Sequence, residues 1–165
     1  MERALKIDEA VYGPDHPTVA TAVNNLGNVL QASGDLAGAR KHFERALKIG
    51  EATYGPDHPK VAIRVSNLGS VLMDLADLTE ARKHFERALK IDEAAYGPDH
   101  PAVGTDVNNL GGVLEALRDL AGARKHYERA LKILEQALGK DHPTTRMARK
   151  NLEILGQQER GQGLP

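Results

Sequence analysis

Apolar residues recur at helical spacing along most of this chain, in segments separated by short polar turns. Val19, Val23, Leu26 and Leu30 stand three and four residues apart and share one face of a helix predicted from about Pro17 to Ala32. After the turn QASGD, a second helix is predicted from about Asp35 to Thr53, with Leu36, Ala39, Phe43, Ala46 and Leu47 on its inner side. Gly34 is placed to end the first helix, and Asp35 to N-cap the second. On the outer side of the second helix Glu44 and Lys48 stand at i and i+4. They are expected to pair, as are Glu86–Lys90 and Glu128–Lys132, each pair contributing ~0.3 kcal/mol.

The whole pattern then repeats. Residues 12–53 and 96–137 are identical at 31 of 42 positions, and Tyr12, Tyr54 and Tyr96 keep the same step. A fixed period of this size means stacked supersecondary units, each a pair of antiparallel helices, A then B. One such pair cannot bury its apolar face alone. Stacking its neighbours against it predicts an all-α, right-handed solenoid with a concave and a convex side. The expected organisation is a partial helix B over residues 1–12, repeats over 13–54, 55–96 and 97–138, and a terminal helix A over 139–157. A polar, Gly-rich segment, 158–165, is expected to be disordered. In the terminal helix Arg149, Glu153 and Gly156 replace a Val, a Gly and a Leu of the pattern, changes expected to solvate an end face. At the other end Ala4, Leu5 and Ile7 are expected to leave apolar surface exposed, and hence to favour a homo-oligomer through the incomplete N-terminal repeat.

Between repeats lies the stretch YGPDHP, present at Tyr12–Pro17, Tyr54–Pro59 and Tyr96–Pro101, with LGKDHP at Leu138–Pro143. Each residue has a local task. Gly13 closes the preceding helix, Pro14 cannot continue it, and Pro17 has a preset φ suited to the next first turn. Asp15 and His16 are both candidate caps. The restriction on residues before proline favours His16 at the boundary, and Tyr12 is expected to tuck its ring under the joint. A metal or catalytic reading of the Asp-His pair is weak. Neighbouring helices pack ~8–10 Å apart, too far for equivalent histidines to share an ion at bond lengths near ~2 Å. A second series, His42, His84 and His126, lies beside lysines on helix B and reads as a solvated face.

Composition narrows the classes further. The chain has 165 residues, 41% of them hydrophobic and 27% charged, with a formal net charge of −1. That balance offers no attraction to nucleic acid or to an anionic membrane. There is no Cys, which removes disulfides, thiolate catalysis and Cys-ligated metal, and no apolar run reaches the length of a membrane span. No phosphate loop, nucleophile–base pair or metal-ligand spacing is present. The expectation is a non-enzyme without cofactors, in a cytoplasmic setting.

Leu26-Gly27, Ala39, Phe43 and Ala46 resemble the signature of tetratricopeptide repeats (TPR). The set recurs as Leu68-Gly69, Ala81, Phe85, Ala88 and as Leu110-Gly111, Ala123, Tyr127, Ala130. The 42-residue period, the YGPDHP and LGKDHP joints and the NNLG run in helix A resemble the kinesin-light-chain type of this repeat. The near-identity of the units is similar to that of bacterial arrays and engineered consensus proteins. The resemblance implies a TPR solenoid and a non-catalytic protein–protein interaction scaffold. Its peptide site would be the concave groove lined by A helices. The implied site residues are Thr21, Asn24, Asn25, Asn28 and Gln31 in the first repeat and Ile63, Ser66, Asn67, Ser70 and Met73 in the second. Thr105, Asn108, Asn109 and Glu115 follow in the third, and Asn151 in the last helix. An amide donates and accepts together, so a row of Asn could clamp an extended peptide backbone. The same row could instead bridge neighbouring helices or hold water. A Lys/Arg clamp for a C-terminal carboxylate, used by some family members, is not supported, since only Lys60 and Arg64 stand near those positions. The alternative function is a self-associating structural repeat module.

Overall fold

The structure is a computed structural model that describes residues 2–161. Eight helices are present among the described residues and no strand: α1 Glu2–Tyr12, α2 Pro17–Ala32, α3 Leu36–Tyr54, α4 Pro59–Asp74, α5 Leu78–Tyr96, α6 Pro101–Ala116, α7 Leu120–Leu138 and α8 Pro143–Gly161. The A helices are α2, α4, α6 and α8, and the B helices α1, α3, α5 and α7. The chain divides into two compact units, Met1–Ile91 and Asp92–Pro165. In the first, α1 packs on α2, α2 on α3 and α4, and α3 on α4; in the second, α6 packs on α7 and α8, and α7 on α8.

The core is aliphatic and closely fitted. Val19, Val23, Ala39, Phe43 and Ala46 have no exposed surface, and Val61, Val65, Ala81 and Ala88 repeat the pattern. Gly27 explains the Leu-Gly signature. A Cβ there would lie 2.7 Å from the Phe43 ring, and at Gly69 and Gly111 it would lie 2.9 and 2.6 Å from Phe85 and Tyr127. Helices A and B therefore approach with the ring of B lying directly on the backbone of A. At the N-terminal end Leu5 is buried in the core with Val19 and Val23, contrary to the expectation, because α1 packs that side on α2. Ile7 and Val11 are 55% and 65% exposed; the side chain of Ala4 lies outside the described residues.

The joints are built as the sequence suggests, with one correction. His16 N-caps α2: its Nδ1 accepts from the Thr18 amide at 3.2 Å. His58, His100 and His142 do the same for Lys60, Ala102 and Thr144. The tyrosine is not tucked beneath. Tyr12 and Tyr96 are about half exposed, and each ring stacks on the capping histidine, with centroids 5.0 and 4.3 Å apart. Stacking satisfies the ring without a pocket and holds the imidazole in its capping pose.

The turn from α2 to α3 is a Schellman closure. The Asp35 amide donates to Leu30 O and the Gly34 amide to Gln31 O, and Asp35 then caps α3 through the Gly38 amide at 2.9 Å. In the next two repeats the left-handed position of Gly34 (φ 88) is taken by Ala76 (φ 61) and Arg118 (φ 65). The cap also varies: with Glu80 in place of Gly38, the Asp77 bond lengthens to 3.4 Å.

Three surface expectations are overturned. Glu44 pairs with Arg40 at 2.7 Å rather than with Lys48, and Glu86 with Arg82 at 2.7 Å; Glu128 faces Arg124 at 3.6 Å. The guanidinium nitrogen reaches the carboxylate from four residues upstream. His42, His84 and His126 are half-buried rather than solvated, and each Nδ1 lies 2.8–2.9 Å from the carbonyl four residues earlier. A carbonyl only accepts, so Nδ1 carries the proton. Finally, α8 continues past Gln157 to Gly161. Gln158 donates to Glu115 at 2.7 Å and Glu159 pairs with Arg124, so residues expected to be disordered are tied to the second unit. Residues 162–165 lie outside the described residues. Gly156 is buried, and Arg124 and Arg160 lie within contact distance of the place its Cβ would take.

Candidate interaction face

Each A helix turns one face to its repeat's core and another away from its B helix. On that second face the polar side chains fall into two groups. The first group ties neighbouring A helices together. In the first unit Asn67 Nδ2 donates to Asn24 Oδ1 at 2.9 Å, and Gln31 Nε2 donates to Ser70 at 3.0 Å and Asp74 at 2.6 Å. In the second unit Asn151 Nδ2 donates to Asn108 Oδ1 at 3.1 Å, the same pair two repeats on. Glu115 accepts from Tyr127 Oη at 2.8 Å and from Gln158 at 2.7 Å. Burial and the Glu115 carboxylate hold the Tyr127 hydroxyl well above the usual phenol range. Among the expected site residues, Asn24, Gln31, Asn67, Ser70, Asn108, Glu115 and Asn151 are therefore helix-bridging, which is the second of the two readings left open for this row. Ser66 is half-buried on α4.

The second group projects outward. Thr21, Asn25 and Asn28 are exposed on α2; Met73 is half-buried on α4, and Thr105 and Asn109 on α6. Thr21 and Thr105 use their hydroxyls on the Pro17 and Pro101 carbonyls, at 3.3 and 3.1 Å. Apolar residues interrupt this group: Ile63 is 60% exposed, and Met147 and Ile154, a helical seven apart on α8, are 48% and 39% exposed. Ile63 is among the expected groove residues; sequence reasoning missed Met147 and Ile154, although they hold the register of Thr21 and Asn28 on the last A helix. Arg64 is not available as a clamp. It is buried against Gly50, whose missing Cβ makes room for it, and its Nη1 donates to Lys60 O at 2.5 Å. Burial lowers its pKa.

Among the described residues no group of three or more His, Asp or Glu lies close enough to hold a metal ion. No described helix is long and apolar enough to cross a membrane.

Tetratricopeptide-repeat profiles match residues 19–60, 63–106 and 107–144. The chain belongs to the tetratricopeptide repeat family. TPR arrays are in general protein-interaction modules without catalytic activity of their own. Solved structures share the fold. BtubC (BKLC) from P. vanneervenii superposes with a TM-score of 0.76 at 24% identity, over 86% of this chain and 57% of that one. A Podosopora anserina protein of the kinesin-light-chain type, with nearly identical TPR-like repeats, gives a TM-score of 0.77 at 20% identity, over 98% and 78%. The apo form of RapI gives 0.77 at 18% identity, over 96% and 57%. The TPR array thus spans a little over half the length of two of these neighbours. No curated protein sequence matches the chain significantly.

Proposed function

We propose that the outward row of the A helices is a docking face for a peptide segment of a protein partner. The observation that carries this reading is the division of labour among the polar residues. Asn24, Gln31, Asn67, Ser70, Asn108, Glu115 and Asn151 hold the helices together, which leaves Thr21, Asn25, Asn28 and Met73 at the surface of the first unit and Thr105 and Asn109 at that of the second. The TPR membership of the chain supports it. Exposed amides can exchange paired hydrogen bonds with an extended main chain, and the adjacent aliphatic side chains would supply apolar contact. The test is selection of peptides from a displayed library, followed by titration of variants. Asn25→Ala and Asn109→Ala should weaken the selected peptide while leaving the unfolding midpoint in place. Asn24→Ala should lower the midpoint instead. Loss of binding in neither outward variant would refute the assignment.

Self-association is the second reading, and one observation favours it. Ile49, Ile91 and Ile133 occupy the register of Ile7 and are each 3% exposed, while Ile7 is 55% exposed beside Val11. A second copy covering this strip would appear as a concentration-dependent mass in light scattering, abolished by Ile7→Ser. A constant single-chain mass would remove this reading and leave the peptide face untouched.

A further inference from the structure

From α3 onward each B helix is anchored to the one before it by an arginine. Arg45 of α3 pairs with Glu9 of α1 at 2.6 Å and donates to Pro14 O at 3.1 Å. Arg87 of α5 repeats this on Glu51 and Pro56 O, at 2.6 and 2.9 Å, and Arg129 of α7 pairs with Glu93 at 2.5 Å. One repeat on, the same register holds Glu135 of α7 and the Lys140 carbonyl. Both are taken by Arg149, at 2.7 and 3.4 Å, and Arg149 comes from α8. It is half-buried there rather than solvated. The other A helices carry Val23, Val65 and Val107 at its position. The seat of a following B helix is otherwise laid out. Leu152 lines two hollows of 340 and 450 Å³ between α7 and α8, and Leu131 lines the larger. Their register mates Leu26 and Leu5 are 7% and 9% exposed and share a core cluster with Ala46 and Ile49 of α3.

The geometry points to a stop built into α8: Arg149 stands in for the arginine of a following B helix and keeps α1 of a second copy out of the α7–α8 seat. α1 is the helix suited to that seat. It carries Arg3 at the register of Arg45, Arg87 and Arg129, and both Arg3 and Ile7 are exposed. Arg3 of a second copy could anchor only by displacing Arg149 from Glu135. Arg149 is part of the same chain, so it competes at a high effective concentration. Two further features of α8 act in the same sense. Glu153 stands at the register of Gly27, Gly69 and Gly111, where even a Cβ would come within 2.9 Å of the B-helix ring. And α8 has 19 residues where α2, α4 and α6 have 16, so it runs on through the register of their turns. The stop goes beyond the self-association reading: that reading concerns the Ile7 strip, and the stop excludes α8 as its cover.

The test is light scattering of the full chain over a wide concentration range, with Arg149→Val/Glu153→Gly alongside. This variant restores the residues that α6 carries as Val107 and Gly111. A helix seated head to tail leaves a free end on each copy, so growth through α8 forms open chains and not a closed dimer. The expected result is a variant whose mass climbs with concentration past that of two chains, while the wild type does not follow. Adding Arg3→Ala should return the variant to the wild-type curve. A variant that tracks the wild type at every concentration would overturn the stop. Growth that persists with Arg3→Ala would overturn it as well, because the arginine anchor would then not be what Arg149 withholds. Arg149→Val alone is judged by the same two outcomes should the double variant fail to fold. The comparison is read on the variant against the wild type, so it stands whether or not the wild type associates through Ile7.

Discussion

Ala76→Gly should stabilise the protein, although it removes a side chain and touches no core residue. Ala76 sits at φ 61 and Arg118 at φ 65, in the turn where the first repeat uses Gly34 at φ 88. Their amides complete the same closure, Ala76 N to Met73 O and Arg118 N to Glu115 O, each at 3.0 Å, so the left-handed residue is required by the hydrogen bonds. An L side chain there costs roughly 1–2 kcal/mol. Glycine removes that cost and returns about 0.5–1 kcal/mol through the greater freedom of the unfolded chain. The net gain is ~0.5–1 kcal/mol, or a few tenths of a molar in the urea midpoint at a slope of about 1–3 kcal/mol/M. Arg118→Gly should gain less, because it also removes a cation from the C-terminal end of α6. Gly34→Ala supplies the converse: nothing lies within 4 Å of its added Cβ, so any loss is backbone strain alone. Equilibrium urea unfolding with unchanged slopes is the assay. A lower midpoint for Ala76→Gly, or an unchanged one for Gly34→Ala, would refute the strain argument.

Alanine at the signature glycines should destabilise in the order Gly111, Gly27, Gly69, following the 2.6, 2.7 and 2.9 Å approaches to their rings. Overpacking of this kind costs about 1–3 kcal/mol, less up to ~1 kcal/mol of helix propensity; thermal melts of the three variants read the ranking. Asp35→Ala and Asp119→Ala, which delete caps with 2.9 Å bonds to Gly38 and Gly122, should each cost ~1 kcal/mol by urea unfolding. Tyr127→Phe should lose about 1.5–3 kcal/mol at neutral pH, the scale of a hydrogen bond to a charged group. Because the folded Tyr127 hydroxyl is raised above its unfolded value, its contribution is present below the ordinary phenol range. It is lost as the pH rises through the folded value. Alkaline unfolding should therefore separate wild type from Tyr127→Phe less than neutral unfolding does.

The helices were legible because two local signals agree throughout. Apolar spacing sets the faces, and the YGPDHP joint combines a helix stop with a helix start in six residues. The predicted span from Pro17 to Ala32 is the observed one, and His16 is the N-cap that the proline restriction implies. The misreadings concern long side chains with several partners in reach. Glu44 could meet Arg40 or Lys48 on the same helix, and spacing alone does not choose between them. The extension of α8 depends on Gln158 and Glu159 finding Glu115 and Arg124, which lie far away in sequence. Left-handed backbone at Ala76 and Arg118 was invisible for a different reason. Neither residue signals it, and only the register with Gly34 does.

The same limit explains the amide row. A tandem Asn-Asn in helix A reads equally well as a clamp for a peptide or as a bridge between helices, because one amide has enough donors and acceptors for either. Geometry separates the two members. Asn24 and Asn108 accept from the following A helix, through Asn67 and Asn151. Asn25 and Asn109, one residue on, share the register of the donors Asn67 and Asn151 but make no such bridge; Asn25 is exposed and Asn109 half-buried. A residue at the later position is therefore a donor to its neighbour wherever a preceding A helix offers an Asn, and faces outward at Asn25 of α2. Stability and recognition are thus carried by adjacent residues of one dipeptide. Substitutions along NNLG should separate into two phenotypes, a lowered midpoint at Asn24 and weakened binding at Asn25. If both substitutions moved both quantities together, the row would be one structural network, and the docking face would have to be sought on the aliphatic residues Ile63, Met147 and Ile154 alone.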